Sequence, residues 1–167
     1  PAEAMMLALT DFLRSALEEG TGLETPLSQE LEMVERYLAI ECLRFPGRIQ
    51  LERDIPPEAL HVSIPSFLLQ PLVENAVRHG LAPRASGGSL RIQGRLEGEA
   101  LCLAVEDDGV GPREGRPGRT GGLGLANTRE RLAQHYGSRA RFTAGARPEG
   151  GFRVAMVLPL APSEASA

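Results

Sequence analysis

PSFLLQPLVENAVRHGL, residues 65–81, is the stretch that most constrains the fold. Its apolar residues recur with helical spacing and predict a helix over residues 65–79, in which Pro71 is tolerated near a first turn or at a kink. Glu74 and Asn75 lie at the edge of the apolar face. Their side-chain oxygens suit Mg²⁺, which takes one or two side-chain ligands and completes its octahedron with water and phosphate oxygens. Taken alone, however, the helical pattern favours a surface polar pair.

Two further segments carry polar groups that a plain fold does not require. In VEDDGVG, residues 105–111, an apolar strand ends in two carboxylates and a Gly-x-Gly turn. A carboxylate there can accept a hydrogen bond from an exocyclic amine, and glycines let a flat ring approach the backbone. In GGLGLANTRERL, residues 121–132, glycines run into a helix whose free N–H groups form an anion site. The simpler interpretations are an ordinary turn and a hinge.

The hydrophobic periodicity around these segments switches between helix and strand. The strands turn at Gly98 and again across residues 147–150, and the glycine-rich, arginine-bearing loop over residues 109–124 is predicted to lack regular structure. The fold class is α/β (α+β): a two-layer sandwich with a mixed sheet of about five strands packed on about three helices, preceded by a helical hairpin. The predicted helices span residues 2–19, about 25–43, 65–79 and 123–136, and the predicted strands span 49–55, 90–96, 100–106, 139–146 and 152–158.

The composition excludes several mechanisms. The 167 residues include 18 arginines and no lysine, so a Walker A loop, a Schiff-base enzyme and a eukaryotic-type protein kinase are ruled out. A net charge of −4 argues against a nucleic-acid surface and favours protein or small-molecule partners. Cys42 and Cys102 lie in separate apolar segments, which predicts buried thiols in a reducing compartment. No apolar run approaches the roughly 18 residues of a membrane span.

In this order and spacing, the three segments resemble the ATP-binding region shared by gyrase, Hsp90, histidine kinases and MutL, the Bergerat or GHKL fold. The resemblance is closest to sensor histidine kinases of the LytS/YehU type. It extends through LSQELEMVERYLAIECLRFPGRIQLERDIPPEAL, residues 27–60, and covers the chain from about residue 4 to residue 160.

The resemblance implies roles for individual residues. Asn75 would hold Mg²⁺ between the ATP phosphates, with Glu74 beside it as a metal partner or a water-orienting base. Arg78 and His79 would face the phosphates. Asp107 would accept a hydrogen bond from the adenine amino group.

The glycines would shape the nucleotide pocket. Gly109 and Gly111 would form the floor under the base, and the arginine-bearing loop that follows would be the ATP lid. Asn127 and Arg131 would anchor the helix after the lid. The cofactor-binding segment at the end of the lid would comprise Gly122, Leu123, Gly124 and Leu125.

This sequence departs from the family pattern in three ways. Asp108 stands where many relatives have Asn, which adds negative charge beside the base pocket. Phe152 replaces a Thr that usually helps to hold adenine. The phosphoacceptor histidine, which the family places in an Asn-Pro-His-Phe helix, is absent, and neither His61, His79 nor His135 has a comparable setting. The acceptor is therefore expected upstream of this chain.

The resemblance implies an ATP- and Mg²⁺-dependent catalytic domain of a two-component histidine kinase. It would transfer the γ-phosphoryl group of ATP to a histidine for relay to a response regulator. We expect residues 1–45 to be the helical remainder of the dimerisation region, residues 46–160 the ATP-binding domain, and residues 161–167 a flexible tail. The full-length protein would be a homodimer, with this domain in the bacterial cytoplasm and any membrane anchor outside this chain. Alternatives are a protein serine kinase of the anti-sigma type and an interaction module with a decayed pocket.

Overall fold

The computed structural model describes residues 24–111 and 123–160. The predicted helix over residues 2–19, most of the predicted lid and the tail lie outside these residues. In chain order the described elements are β1 (Glu24–Pro26), α1 (Leu27–Arg44), β2 (Ile49–Asp54), a 3₁₀ turn (Pro57–His61), β3 (Ser63–Pro65), α2 (Gln70–Asn75) with a π-helical extension (Ala76–Leu81), β4 (Gly88–Glu97), β5 (Ala100–Asp107), α3 (Leu123–Tyr136), a 3₁₀ turn (Gly137–Arg139), β6 (Arg141–Ala146) and β7 (Phe152–Pro159).

The five longer strands form one mixed sheet in the order β2-β4-β5-β7-β6. β2 pairs in parallel with β4, and the other three pairs are antiparallel. The predicted mixed five-stranded sheet with three helices is confirmed. The short strands β1 and β3, which the sequence pattern did not indicate, pair antiparallel with each other and bring the start of α1 beside the start of α2.

Side chains from the helices and from one face of the sheet form a single core. In α1 the buried residues Leu27, Leu31, Val34 and Leu38 recur at intervals of four, three and four, so they line one side of the helix. They join one cluster with apolar residues of α2, α3 and the strands. Each buried leucine stabilises the fold by about 1.5 to 3 kcal/mol relative to exposure. None of the helices within residues 24–111 and 123–160 is long and apolar enough to cross a membrane.

The predicted helix over residues 65–79 starts later than expected. Pro65 ends β3, and a turn over residues 66–69 follows, in which Phe67 has the left-handed φ of 57°. A non-glycine residue with that φ cannot be helical, so α2 begins only at Gln70. Pro71 then falls in the first turn, where its missing N–H costs no helical hydrogen bond.

The other boundaries differ little from the prediction. α3 occupies the predicted residues, and the strands on either side of Gly98 are extended by one to two residues at their ends. The last hairpin begins at Arg141 rather than at residue 139, because residues 137–139 form a 3₁₀ turn after α3.

Candidate functional site

The end of α2 and the end of β5 are in direct backbone contact. The N–H of Val110 donates to the carbonyl oxygen of Gly80 at 2.9 Å. A Cβ atom on Gly109 would lie only 2.2 Å from the same oxygen, so no other residue fits there without moving the backbone. The first two sequence motifs, which are some 30 positions apart, are therefore in contact, and we call them the two walls of the candidate site.

Asp107 is the buried acid of this site. Its side chain is 2% exposed, and Oδ1 accepts a hydrogen bond from the N–H of Gly109 at 3.0 Å. Its main-chain oxygen accepts from Arg147 Nη1 at 3.1 Å. Gly151 packs so closely that a Cβ there would lie 1.9 Å from that oxygen. A carboxylate fixed at the end of a strand can accept a hydrogen bond from a ligand amine without first being ordered.

Arg147 and Gly151 are site-supporting residues that sequence reasoning missed. Both lie in the hairpin between β6 and β7, far from Asp107 in the chain. Gly151 has a φ of 88°, which glycine adopts without strain. The Gly-Gly pair at residues 150–151 was the only local signal, and it predicted a turn rather than contact with β5.

The charge of Asp108 is engaged by neighbouring groups. Its Oδ1 accepts from the N–H of Ser89 at 2.7 Å and lies 3.9 Å from Arg84 Nη1. The same guanidinium nitrogen donates to the main-chain oxygen of Asp108 at 2.6 Å. The carboxylate thus joins the end of β5 to the start of β4.

Phe152 is a core residue. It is 2% exposed, belongs to the apolar cluster and lies opposite Asp107 in the register of β5 and β7. Its ring has no hydrogen-bonding group, so any polar contact with a base at this wall must come from other residues.

Glu74 and Asn75 stand on the opposite wall, in the last turn of α2. Gln70, one turn earlier, donates from Nε2 to Glu74 Oε1 at 2.8 Å and thereby restrains that carboxylate. Asn75 Nδ2 is buried and has no hydrogen-bond partner within the described part of the chain. Leaving such a buried group unsatisfied costs about 1 to 3 kcal/mol, so an external hydrogen-bond partner would stabilise this position.

The side chains of Glu74 and Asn75 fit a cation that takes only one or two ligands from the protein. Within residues 24–111 and 123–160, no three His, Cys, Asp or Glu side chains cluster as a metal site. One carboxylate and one amide oxygen suffice for Mg²⁺, which keeps water and phosphate ligands, whereas they are too few for a zinc site.

Helix α1 borders this wall of the site. Burial raises the pKa of the Tyr37 hydroxyl, and the negative charges of Glu41 and Glu74 raise it further, while Arg44 and Arg78 oppose this shift. Tyr37 therefore stays a neutral hydroxyl beside the carboxylate of Glu74. The π-helical extension widens the turn that carries Arg78 and His79, and such widened turns are frequent at functional sites.

The third motif begins α3. Gly124 is exposed in its first turn, whereas Leu125 is buried and packs into the core. Thr128 Oγ1 donates to the oxygen of Gly124 at 2.8 Å. Gly111 approaches the hairpin between β6 and β7: a Cβ atom added to Gly111 would lie 3.5 Å from the main-chain oxygen of Gly151.

The remaining predicted lid positions have no described side chain. Gly122 and the arginine-bearing loop lie outside the described residues, and for Leu123 only the backbone is described.

Comparisons with known proteins agree on one class. The family model for histidine kinase-, DNA gyrase B- and HSP90-like ATPases matches residues 65–162, and a histidine kinase model matches residues 1–49. The sensor protein LytS of Enterococcus faecalis is 31% identical over 99% of this chain and 30% of its own length. The chain spans less than a third of the curated relatives that it matches.

Solved structures show the same fold. The histidine kinase domain of a blue-light activated histidine kinase from Erythrobacter litoralis superposes with a TM-score of 0.59 at 26% identity, over 81% of this chain and 61% of that domain. The histidine kinase ThkA, solved in complex with the response regulator TrrA, gives a TM-score of 0.64 at 16% identity, over 97% of this chain and 50% of ThkA.

Proposed function

Because the chain belongs to the family of histidine kinase-, DNA gyrase B- and HSP90-like ATPases, we propose that it binds Mg·ATP as the catalytic domain of a two-component sensor histidine kinase. The γ-phosphoryl group passes from ATP to an imidazole nitrogen of an acceptor histidine: the bond to the β,γ-bridging oxygen breaks, a P–N bond forms and ADP leaves. A response regulator aspartate then receives the phosphoryl group.

The backbone contact between Gly80 and the Gly109–Val110 peptide is the observation that carries this proposal. It supports a cleft with Asp107 on one wall and Glu74 and Asn75 on the other. Asp107 accepts a hydrogen bond from the adenine amino group, and Gly109 and Gly111 leave room for the ring. The N–H groups at the start of α3, including that of Gly124, and the segment from Gly122 to Leu125 contact the phosphates.

Asn75 and Glu74 hold the metal end of the nucleotide. When bound, Mg²⁺ would supply positive charge to the phosphates. Asn75 Oδ1 would be a protein ligand of the metal, and the Nδ2 atom of the same amide has no hydrogen-bond partner among the described residues. Glu74, restrained by Gln70, is the second ligand or orients the attacking nucleophile. Arg78 would add positive charge, and His79 a ring nitrogen, toward the phosphates from the widened turn. Phosphoryl transfer needs chiefly such positioning and charge neutralisation.

The acceptor in this proposal is a histidine outside this chain. His135 Nε2 lies 2.8 Å from Glu24 Oε1, which ties it to β1. His61 ends a 3₁₀ turn that connects β2 and β3, and His79 belongs to the cleft itself. None of these positions presents an imidazole on an independent helix. The relatives' length leaves room for the acceptor, for dimerisation and for a membrane anchor elsewhere in the protein, with this domain in the cytoplasm.

The first test is a calorimetric titration with a non-hydrolysable ATP analogue and Mg²⁺. Saturable binding is expected, and Asp107→Asn should weaken it by about ten- to hundredfold, since a hydrogen bond to a charged group contributes roughly 1.5 to 3 kcal/mol. Glu99→Gln, in the exposed turn at the far end of β5, is the matched control and should bind as the wild type does. Absence of saturable binding, or equal affinity in both variants, would contradict the proposal.

The second test concerns the phosphorylated group. A longer form of the protein that carries a candidate acceptor histidine is incubated with γ-labelled ATP, and the product is treated with acid. Acid-labile phosphate is expected, because a phosphoramidate hydrolyses in acid. Acid-stable phosphate would instead favour the serine kinase. Nucleotide binding without transfer to any acceptor would favour the interaction module, for which Phe152 alone remains as an argument, since Asp108 is engaged by Ser89 and Arg84.

A further inference from the structure

The turn that leads into α2, residues 66–69, is held from one side by a buried carboxylate. Glu30 of α1 is 0% exposed. Its Oε1 accepts from the N–H of Phe67 at 2.6 Å, and its Oε2 accepts from the N–H of Leu69 at 3.0 Å. Both oxygens of one side chain therefore bind backbone donors that lie 37 and 39 positions away in the sequence.

The same turn is held from the other side by α3. Arg131 Nη2 donates to the carbonyl oxygen of Ser66 at 2.5 Å, and Nη1 donates to that of Phe67 at 3.4 Å. Burial raises the pKa of Glu30, while the backbone N–H groups of the turn and, to a smaller extent, the Arg131 guanidinium oppose this shift. A carboxylate and a guanidinium thus hold opposite polar groups of one short turn, which we call the Glu30–Arg131 clamp.

The clamp maintains a backbone conformation that the turn would not adopt alone. Phe67 has a φ of 57°, which costs a bulky residue of order 1 to 3 kcal/mol. Glu30 binds the N–H of this residue and Arg131 binds its oxygen, so the hydrogen bonds act on the strained peptide groups themselves. Without them the turn would relax toward an ordinary conformation.

A shift of the turn would reach the cleft. Leu69 is the residue before α2, and Asn75 follows six residues later, which is about 9 Å along a helix. A helix this short moves as one body, so a displacement at its start appears at Glu74 and Asn75. The opposite wall, at the end of β5, is held by other contacts, from Arg84 and Arg147.

We infer that Glu30 and Arg131 are positioning residues for the metal end of the nucleotide: they set the place of α2 and thereby the place of Asn75 and Glu74. The inference rests on the proposed function. The clamp also connects α1 and α3 directly to the helix that carries Asn75 and Glu74. α1 lies within the predicted dimerisation segment, residues 1–45, and α3 follows the predicted lid. The clamp therefore connects α2 both to the dimerisation segment and to the helix after the lid.

The test uses Mg²⁺ to distinguish an effect on Asn75 and Glu74 from an effect on the wall that carries Asp107. The affinity for a non-hydrolysable ATP analogue is measured by calorimetry with excess Mg²⁺ and again with EDTA, and the ratio of the two is the gain due to Mg²⁺. Because this ratio is a property of the folded molecules, it is unaffected by a partly unfolded sample. Glu30→Gln puts an amide N–H against a backbone N–H. Arg131→Lys keeps the charge but cannot span two carbonyl oxygens. Glu32→Gln, with a side chain 61% exposed on the same helix, is the control.

We expect the wild type and Glu32→Gln to share the same Mg²⁺ gain. Glu30→Gln should lose roughly ten- to hundredfold of this gain, the range expected when one contact to a charged group is weakened. Its affinity in EDTA should stay within about twofold of the wild type, and Arg131→Lys should fall between the two. If Glu30→Gln does not fold, Arg131→Lys decides by the same ratio.

The two hypotheses fail in different ways. A wild type that shows no saturable binding contradicts the proposed function. A wild type that binds with a Mg²⁺ gain, together with clamp variants that keep the full gain, contradicts the clamp alone. Variants that lose affinity equally in Mg²⁺ and in EDTA also contradict it, because general damage to the fold is then the cause.

Discussion

Replacement of Gly109 by alanine should separate the two walls of the cleft. The added Cβ would lie 2.2 Å from the oxygen of Gly80 and 2.3 Å from its carbonyl carbon. Non-bonded heavy atoms pack at about 3.5 Å or more, so the backbones must move apart by roughly 1 Å. Overpacking costs about 1 to 3 kcal/mol, and loss of the Val110 hydrogen bond costs about 0.5 to 1.5 kcal/mol.

The expected result is a loss of both stability and binding. A decrease of about 2 to 4 kcal/mol in the free energy of unfolding corresponds to a fall in Tm of roughly 4 to 16 °C for a chain of this size. Affinity for an ATP analogue should fall about a hundredfold, because the base wall and the metal wall no longer face each other. Gly145→Ala is the matched control, since its Cβ would meet no atom within 4 Å. If Gly109→Ala melts and binds as Gly145→Ala does, the argument from close backbone contact is wrong.

Three further outcomes follow from single contacts. Gln70→Ala removes the 2.8 Å hydrogen bond to Glu74 and should lower kcat for phosphoryl transfer severalfold with little change in nucleotide affinity; a change in affinity alone would contradict this role. Asp108→Asn keeps an acceptor oxygen and loses only a 3.9 Å ion pair with Arg84, so urea unfolding should shift by less than about 1 kcal/mol. Burial raises the pKa of the Glu30 carboxyl, although the hydrogen bonds from the N–H groups of Leu69 and Phe67 oppose this shift. The stability that Glu30 contributes relative to Glu30→Gln should therefore be highest below the ordinary carboxyl pKa and fall as pH rises through the raised pKa, and urea titrations from pH 4 to pH 8 that show the opposite slope would refute this.

Much of the architecture could be predicted because local patterns carry it. α3 was predicted at its observed residues, since glycines mark its start and apolar residues such as Leu125 and Leu132 recur with helical spacing. The edge strand β2 and its neighbour β4 alternate in polarity as half-buried strands do, whereas the central strand β5 is a nearly continuous apolar run. The parallel pairing of β2 with β4 could not be derived in this way, because periodicity says which face of a strand is buried but not which strand lies beside it.

The residues of the candidate site also fall into two groups, those that the sequence pattern indicates and those that it does not. Glu74, Asn75 and Asp107 stood out because each is polar within an apolar segment. Glu30 did not stand out, since an acid in the first turn of an amphipathic helix is typical of a solvated position. Phe67 gave no signal either: its left-handed backbone is imposed by partners on two other helices, and no local propensity predicts it. Contacts over 37 to 65 positions leave no mark in the spacing of residues.

The absence of lysine has a structural counterpart around the cleft. Several arginines there donate hydrogen bonds to main-chain oxygens. Arg48 donates to residues 82 and 84, and Arg131 donates to residues 66 and 67. Arg84 donates to residue 108, and Arg147 donates to residue 107. Each of these oxygens belongs to a loop or strand end next to the site. A guanidinium has five donors in a rigid plane and can hold two carbonyls at once, whereas an ammonium group is a compact, strongly hydrated charge. These arginines therefore act on the protein's own backbone, and under the proposed function the phosphates would be bound by Asn75, its metal and the N–H groups of α3 instead of a lysine.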